Sequence, residues 1–139
     1  MPKETSPQQM DAVVIDASGP PEQALAVRSV PVSEPGPGEV LVEVHAAAIN
    51  PLDLANVAGL LGTPLPMIPG VDFAGVVVSD GDLNGEEVWG SAPQLGMKRP
   101  GTHARFVALP ETWLSRKPSA HYDRSRAVSA DRILRPGRR

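Results

Sequence analysis

The clearest structural signals of the 139-residue chain lie in residues 35–53, which read PGPGEVLVEVHAAAINPLD. The first four residues predict a turn, because Pro and Gly interrupt regular structure. After the turn, Val40, Val42 and Val44 alternate with other residue types. This period of two predicts a strand with one face in the core. The stretch therefore predicts a turn that leads into a buried strand.

The end of the same stretch predicts a helix. Asn50 is a favourable N-cap, Pro51 suits the first helical position, and Asp53 can act back on the cap. We expect a short helix from Pro51 to Val57 or Ala58, ended by the following glycine.

Further apolar runs, separated by Pro- and Gly-rich turns, extend this pattern to both sides. They predict a mainly β fold with one or two short helices, as a sandwich or a partly open barrel. The predicted strands are residues 10–16, 25–30, 40–45 with a continuation over 46–49, 73–79, 87–90, 102–109 and 111–117, and the predicted loops are 62–69, 80–85 and 93–101.

Composition excludes several classes of protein. The chain has no cysteine, which rules out disulfide frameworks and thiolate metal sites. No run is long and apolar enough to span a membrane, and residues 1–9 are polar and resemble no secretion signal. We therefore predict a cytoplasmic protein with a disordered N-terminus over residues 1–9, and no membrane partner.

Charge divides the chain near residue 118. Residues 1–118 carry 7 Lys/Arg and 14 Asp/Glu, whereas residues 119–139 carry 6 Arg and 2 Asp, which gives net charges of −7 and +4. We expect an aberrant Arg-rich tail over residues 119–139. It has neither interleaved aromatic residues nor a known reading motif, so we predict no nucleic-acid partner.

Four motifs in fixed order resemble one family: residues 35–53, PGVDFAGVVV (69–78), GEEVWG (85–90) and GTHARFVALP (101–110). Together they resemble the N-terminal GroES-like domain of medium-chain dehydrogenase/reductases, in the zinc-independent, quinone oxidoreductase-like branch. The resemblance covers residues 10–118. It implies a GroES-like, partly open barrel on the substrate side of an NAD(P)H-dependent oxidoreductase.

The resemblance implies that Asn50 and Asp53 are catalytic and cofactor-binding residues, with NADPH as the cofactor and a small molecule as the substrate. Hydride would pass from the nicotinamide to a quinone, an enone or a carbonyl. An amide N–H of Asn50 can polarise a carbonyl. Both residues also have a purely structural explanation, as a helix cap.

The resemblance also bears on whether the chain binds zinc. Zinc-dependent relatives hold zinc with a Cys and a His where this chain has Asn50 and Val71, followed by Asp72 in place of Glu. Asn and Val do not replace zinc ligands. The loop at residues 93–101 contains no cysteine. We predict that the chain binds no metal. Ala55 and Leu61 stand where some quinone reductases carry tyrosines.

The family continues into a Rossmann domain, but no G-x-G-x-x-G follows a strand in this chain. We expect that domain to be absent, on another chain or lost through truncation or a shifted reading frame. Translation of the other two frames beyond codon 118 tests the last idea. The chain alone is then expected to be inactive. The alternative is a catalytically silent β module or fragment that acts only through binding.

Other candidate residues have simpler explanations. We interpret Lys98 and Arg99 as a solvated loop in preference to a phosphate contact. His45 is expected at the surface and His103 in a strand, and Trp89 in packing. Without its partner domain, the cleft face would expose apolar surface and promote self-association.

Overall fold

A computed structural model describes residues 7–118 of the chain. These residues form seven strands, two helices and one 3₁₀ turn. In order they are β1 (Gln9–Ile15), α1 (Pro21–Ala24), β2 (Leu25–Pro31), β3 (Glu39–Ala46), α2 (Pro51–Val57), β4 (Asp72–Val77), β5 (Glu87–Ser91), β6 (Phe106–Pro110), the 3₁₀ turn Glu111–Trp113 and β7 (Leu114–Arg116).

Five strands form one antiparallel sheet in the order β6-β3-β4-β5-β7. Strands β1 and β2 form a second, two-stranded antiparallel sheet. Backbone bonds join β1 to the rest of the fold, from Val13 N–H to the carbonyl of His103 (2.9 Å) and from Ile15 N–H to that of Met67 (2.7 Å). The mainly β class and the GroES-like, partly open barrel are thereby confirmed.

Both faces of β3 and β6 are buried. Val40 and Val42 of β3 point into one apolar cluster together with Phe73 and Leu109. Leu41, between the two valines, points to the opposite face, where β1 covers it. The predicted alternation of β3 is therefore real, but its second face is also apolar because a second sheet packs there. Because both faces of β3 are buried, its last residue, Ala46, is held in place. The segment that follows carries the candidate site.

The structure corrects several predicted boundaries. Strand β1 begins at Gln9, inside the segment that we expected to be disordered; residues 1–6 and the predicted tail lie outside the described residues. Helix α1 was not located from the sequence. The predicted strand over 111–117 is a 3₁₀ turn followed by the three-residue strand β7.

The predicted strand over residues 102–109 is wrong in its first half. Ladder pairing with β3 covers Phe106–Pro110 only. Before it, Thr102 N–H donates to the carbonyl of Gly70 (3.2 Å) and His103 N–H to that of Pro69 (2.9 Å). Because these backbone donors are used on residues 69 and 70, residues 102–105 form no ladder with β3, and Ala104 makes an isolated antiparallel bridge to Ala12 of β1.

Candidate functional site

Asn50 and Asp53 lie together at the start of α2, as the sequence predicts. Asn50 is the N-cap residue and Pro51 takes the first helical position. The Asp53 carboxylate accepts the backbone N–H of Asn50 at 2.8 Å, and Asp53 N–H donates to the Asn50 carbonyl at 3.0 Å. Asp53 is only 4% exposed. Its carboxylate therefore fixes the point at which the chain leaves β3 and turns into the helix.

Asp72 is the residue of this site whose role the sequence did not predict. It opens β4, is 8% exposed, and accepts two hydrogen bonds through its two carboxylate oxygens. One comes from the side-chain amide of Asn50 (2.9 Å) and one from the backbone N–H of Ala48 (2.8 Å). The sequence does contain one signal for this role, which is an acidic residue at the start of an apolar strand. A carboxylate buried there needs hydrogen-bond donors from the protein.

Two further side chains, those of Thr102 and His103, bind the backbone of the residues around Asn50 and Asp72. The Thr102 hydroxyl donates to the Asp72 carbonyl at 2.6 Å, and Thr102 is 1% exposed. Nε2 of His103 lies 3.0 Å from the Ala48 carbonyl. A carbonyl can only accept, so His103 must carry a proton on Nε2. The irregular segment before β6 thus supports the segment that carries Asn50.

The hydrogen bond to Asp72 determines what the Asn50 side chain can do. A carboxylate can only accept from the amide, so the amide nitrogen points toward Asp72 and one of its two N–H groups is used. Within the described part of the chain, that nitrogen makes no other hydrogen bond. Asn50 is half-buried. It can therefore donate its second N–H to an oxygen of a ligand.

The surroundings of Asn50 are apolar and open to solvent. Ile49, directly before it, is 76% exposed, and Leu54 on α2 is 54% exposed. Leu52, Leu60 and Leu61 are also exposed. Five apolar side chains of this segment are therefore exposed. Exposed apolar side chains favour association, and self-association of the chain stays a prediction.

The alcohol dehydrogenase GroES-like domain family matches residues 36–119. This chain belongs to that family. The match includes every residue of the site described above, and it agrees with the barrel and with the resemblance drawn from the four motifs.

Individual relatives of this GroES-like domain are reductases and dehydrogenases by name. A zinc-type alcohol dehydrogenase-like protein of Schizosaccharomyces pombe is 43% identical over 98 residues, covering 68% of this chain and 30% of that protein. The chloroplastic NADPH-dependent alkenal/one oxidoreductase of Arabidopsis thaliana is 34% identical, over 81% of this chain and 32% of its own length. The chain thus spans about a third of these curated relatives.

Solved structures show the same fold. The quinone oxidoreductase from Coxiella burnetii superposes with a TM-score of 0.69 at 30% identity, over 80% of this chain and 38% of that one. An NAD-dependent alcohol dehydrogenase superposes with a TM-score of 0.70 at 37% identity, over 78% of this chain and 40% of the other.

The remaining candidates of the GroES-like domain have structural positions. His45 is exposed as predicted and contacts Glu43 at 3.1 Å, and Trp89 is 41% exposed, so it is not packed in the core. The solvated-loop interpretation of Arg99 is wrong. Arg99 is partly buried and binds Glu39 through two nitrogens, at 2.8 and 3.1 Å. His121 lies outside the described residues.

Two further findings concern metal binding and membrane spans. Within residues 7–118, no three His, Cys, Asp or Glu side chains come together as a metal-binding group. Over the same residues, no helix has the length and apolar character needed to cross a membrane.

Proposed function

We propose that this GroES-like domain is the substrate side of an NAD(P)H-dependent oxidoreductase that reduces a quinone, an enone or a related carbonyl compound. The observation that carries the proposal is the buried Asp72 carboxylate, which orients the Asn50 amide at 2.9 Å and leaves one N–H for a ligand. The names of two relatives, the Arabidopsis alkenal/one oxidoreductase and the Coxiella quinone oxidoreductase, support the same substrate class.

Asn50 would act as the electrophile in this reaction. When bound, a nicotinamide would supply a hydride, that is, one proton and two electrons, to a carbon of the substrate. Negative charge would then develop on the substrate oxygen, which would take up a proton from water to complete the reduction. The free N–H of Asn50 donates to that oxygen, and a donor that is already oriented loses no energy in turning toward the charge as it forms. The exposed apolar side chains near Asn50 would bind the carbon skeleton of the substrate.

Asp53 and Asp72 would be positioning residues. Asp53 is buried and its carboxylate accepts from Asn50 N–H, so it holds the backbone of Asn50. Asp72 holds the side chain of the same residue. In this proposal the cofactor-binding role that the resemblance gives to Asp53 is exerted through Asn50.

We also propose that the site works without zinc. In the zinc-dependent relatives the ligand positions correspond to Asn50 and Val71, and the Val71 side chain offers no donor. Both oxygens of Asp72 already accept hydrogen bonds from the protein. The side chains at these positions therefore do not fit a catalytic zinc.

The binding of most of the dinucleotide, in this proposal, falls to a separate cofactor domain, because such sites need a glycine-rich turn at a helix N-terminus. The chain alone is then inactive. A cytoplasmic location remains a prediction.

The first test is a calorimetric titration of the folded 139-residue chain with NADPH, followed by an oxidation assay with a quinone and an enone. We expect neither binding nor turnover. Turnover by this chain alone would contradict the proposal that a separate domain binds the cofactor.

The second test supplies the cofactor domain. Residues 1–118 are fused to the part of the Arabidopsis alkenal/one oxidoreductase that lies beyond its matched region. We expect NADPH-dependent enone reduction, and we expect Asn50→Ala to lower kcat about 10²–10³-fold with little change in the KM for NADPH. A folded fusion that binds NADPH and reduces no carbonyl compound contradicts the function. An Asn50→Ala fusion with unchanged kcat contradicts the role of Asn50.

A further inference from the structure

Strand β2 lies at an edge of the fold, and the pairing pattern shows which of its backbone groups face outward. Val32 N–H donates to the Gln8 carbonyl, and Asp16 N–H donates to the Ala24 carbonyl. These bonds lie directly outside the two ends of β2, at the even-numbered residues 24 and 32. Since hydrogen-bonded pairs recur every second residue, the even residues of β2 face β1 and the odd ones face away.

The same parity holds on β1. Its odd residues Asp11, Val13 and Ile15 make backbone bonds on the side away from β2. On β2 the outward N–H groups are those of Val27 and Ser29, because the N–H of Leu25 donates to Pro21 and Pro31 has none. Within residues 7–118, β2 pairs with β1 alone. An unpaired row of this kind is a template for another strand.

We propose that β2 pairs antiparallel with β2 of a second copy of this chain, on a twofold axis through Val27. In this register the two Val27 residues exchange N–H···O bonds, and each Ser29 N–H donates to the Leu25 carbonyl of the other copy. Every free outward N–H of the edge finds an acceptor, and the contact is the same for both chains, as a twofold interface requires.

Side chains favour this register over its neighbour. An axis through Arg28 would also allow four hydrogen bonds, but it would set two arginines directly opposite each other, and like charges in that position are destabilising. The axis through Val27 sets Arg28 opposite Ala26. Within each chain Arg28 is already paired with Asp16, with its Nε at 3.0 Å from the carboxylate, so the edge carries little net charge.

The apolar side chains support the same axis. Val27 is 74% exposed and lies opposite Val13 in the β1–β2 ladder. Pairing about Val27 brings two such pairs side by side and forms a row of four valines on one face of a four-stranded sheet. Cross-strand pairs of β-branched residues stabilise sheets. This inference rests on the β2 edge alone and is independent of the proposed activity.

Cysteine cross-linking tests the register directly, because the chain has no cysteine of its own. In Val27→Cys the two sulfurs would sit on a directly opposed pair with Cα atoms about 5.5 Å apart, within the range of a disulfide. Ser29→Cys is the matched control on the same strand and face, with the two positions about 13 Å apart in this register. Under mild oxidation, we expect a disulfide-linked dimer for Val27→Cys and little for Ser29→Cys. Equal cross-linking of the two variants, or none, overturns the proposal.

Sedimentation of the full 139-residue chain over a range of concentrations tests the association itself. We expect Val27→Pro to weaken dimerisation by about tenfold or more. Since the substitution is present in both chains, it removes two hydrogen bonds from the interface. The N–H that it removes has no partner within residues 7–118. Val27→Lys leaves the backbone intact and is expected to act in the same direction by charge repulsion. A chain that stays monomeric at high concentration, or a dimer unaffected by Val27→Lys, overturns the proposal; the first result would be expected if another segment covers the edge.

Discussion

The side-chain amide of Asn50 donates to the carboxylate of Asp72 at 2.9 Å, across 22 residues of sequence. The contact joins the start of α2 to the start of β4. Because Asp72 also accepts Ala48 N–H, a single buried carboxylate fixes both the backbone before Asn50 and the direction of its amide. The N–H of Asn50 that does not bind Asp72 is therefore held in a fixed direction as a hydrogen-bond donor.

Replacing Asp72 by Asn should destabilise the domain. The carboxylate serves two donors, whereas an amide has one oxygen and one NH₂, so one of the two donors would then face another donor. We expect the free energy of unfolding to fall by about 1–3 kcal/mol, measured by urea denaturation. Asp82→Asn, in an exposed turn, is the control and should change it by less than about 0.5 kcal/mol.

The reciprocal exchange provides a sharper test of the same pair. Asn50→Asp alone brings two carboxylates together and should also destabilise. In the double variant Asn50→Asp/Asp72→Asn, the amide and the carboxylate trade places, and the new amide oxygen can still accept Ala48 N–H. We expect the double variant to be more stable than either single one. Purely additive losses would show that the pair does not interact.

Asp53→Ala should destabilise the start of α2. The change removes the acceptor of the Asn50 N–H in a part-buried hydrogen bond. We expect a loss of about 1–2 kcal/mol in the free energy of unfolding. Asp53→Asn keeps an oxygen at the same place and should recover part of the loss; equal losses for the two variants would mean that packing, and not the hydrogen bond, is what Asp53 supplies.

Gly70 is required where residues 101–103 cross the turn before β4. Its φ is +108°, and a Cβ there would meet the Thr102 hydroxyl and lie 2.8 Å from the backbone nitrogen of His103. We expect Gly70→Ala to cost about 2–4 kcal/mol of unfolding free energy, through crowding added to strain.

Gly81→Ala separates the two causes, since Gly81 has a φ of +134° with open space around it. Strain alone should cost about 1–2 kcal/mol there. Thermal or urea unfolding measures both variants. Similar losses would indicate that crowding against Thr102 has no effect.

Glu39 should give the domain an acid-sensitive contact. Its hydrogen bonds with the Arg99 guanidinium, and then with Gly36 N–H, hold the pKa of Glu39 below its ordinary value. A lowered folded-state pKa means that the stabilisation is complete above the unfolded value and is lost as the pH falls through the folded one. We therefore expect the contribution to be complete above the ordinary pKa of a glutamate, about 4.3, and to be lost as the pH falls below it through the lowered folded-state pKa.

Glu39→Gln should remove that part of the pH dependence and cost about 1–3 kcal/mol at pH 7, because it leaves the partly buried Arg99 without its charged partner. Urea denaturation at pH 7 and at several points between pH 3 and 5 measures both effects. Glu34→Gln is the matched control, at an exposed position for which residues 7–118 show no hydrogen bond or ion pair. Parallel pH curves for Glu39→Gln and the unmodified chain would disprove the contribution.

Local sequence determined the elements that form without contacts to residues far away in the chain. The Pro-Gly turn at residues 35–38, the alternating valines of β3 and the Asn50–Pro51 start of α2 each depend on neighbours within a few residues, and all three are found as predicted. The same local rule misplaced the start of β6. The residues before Phe106 have strand-like composition, but the N–H groups of residues 101–103 donate to the carbonyls of residues 68–70.

The candidate site was predicted in part. Asn50 and Asp53 could be named because a cap is a local motif with a fixed spacing. Asp72 and His103 could not be given roles, since their contacts with the segment 48–50 span 22 to 55 residues. Arg99 was misjudged for the same reason, as its partner Glu39 is 60 residues away.

The sequence by itself determined the β class of this protein, its capped helix, its lack of thiolate chemistry and its family. Only the tertiary structure decided which polar groups share the interior. A buried carboxylate must find donors wherever the fold brings them, and the fold brought Asp72 the amide of Asn50. That pairing turns a helix cap into an oriented hydrogen-bond donor.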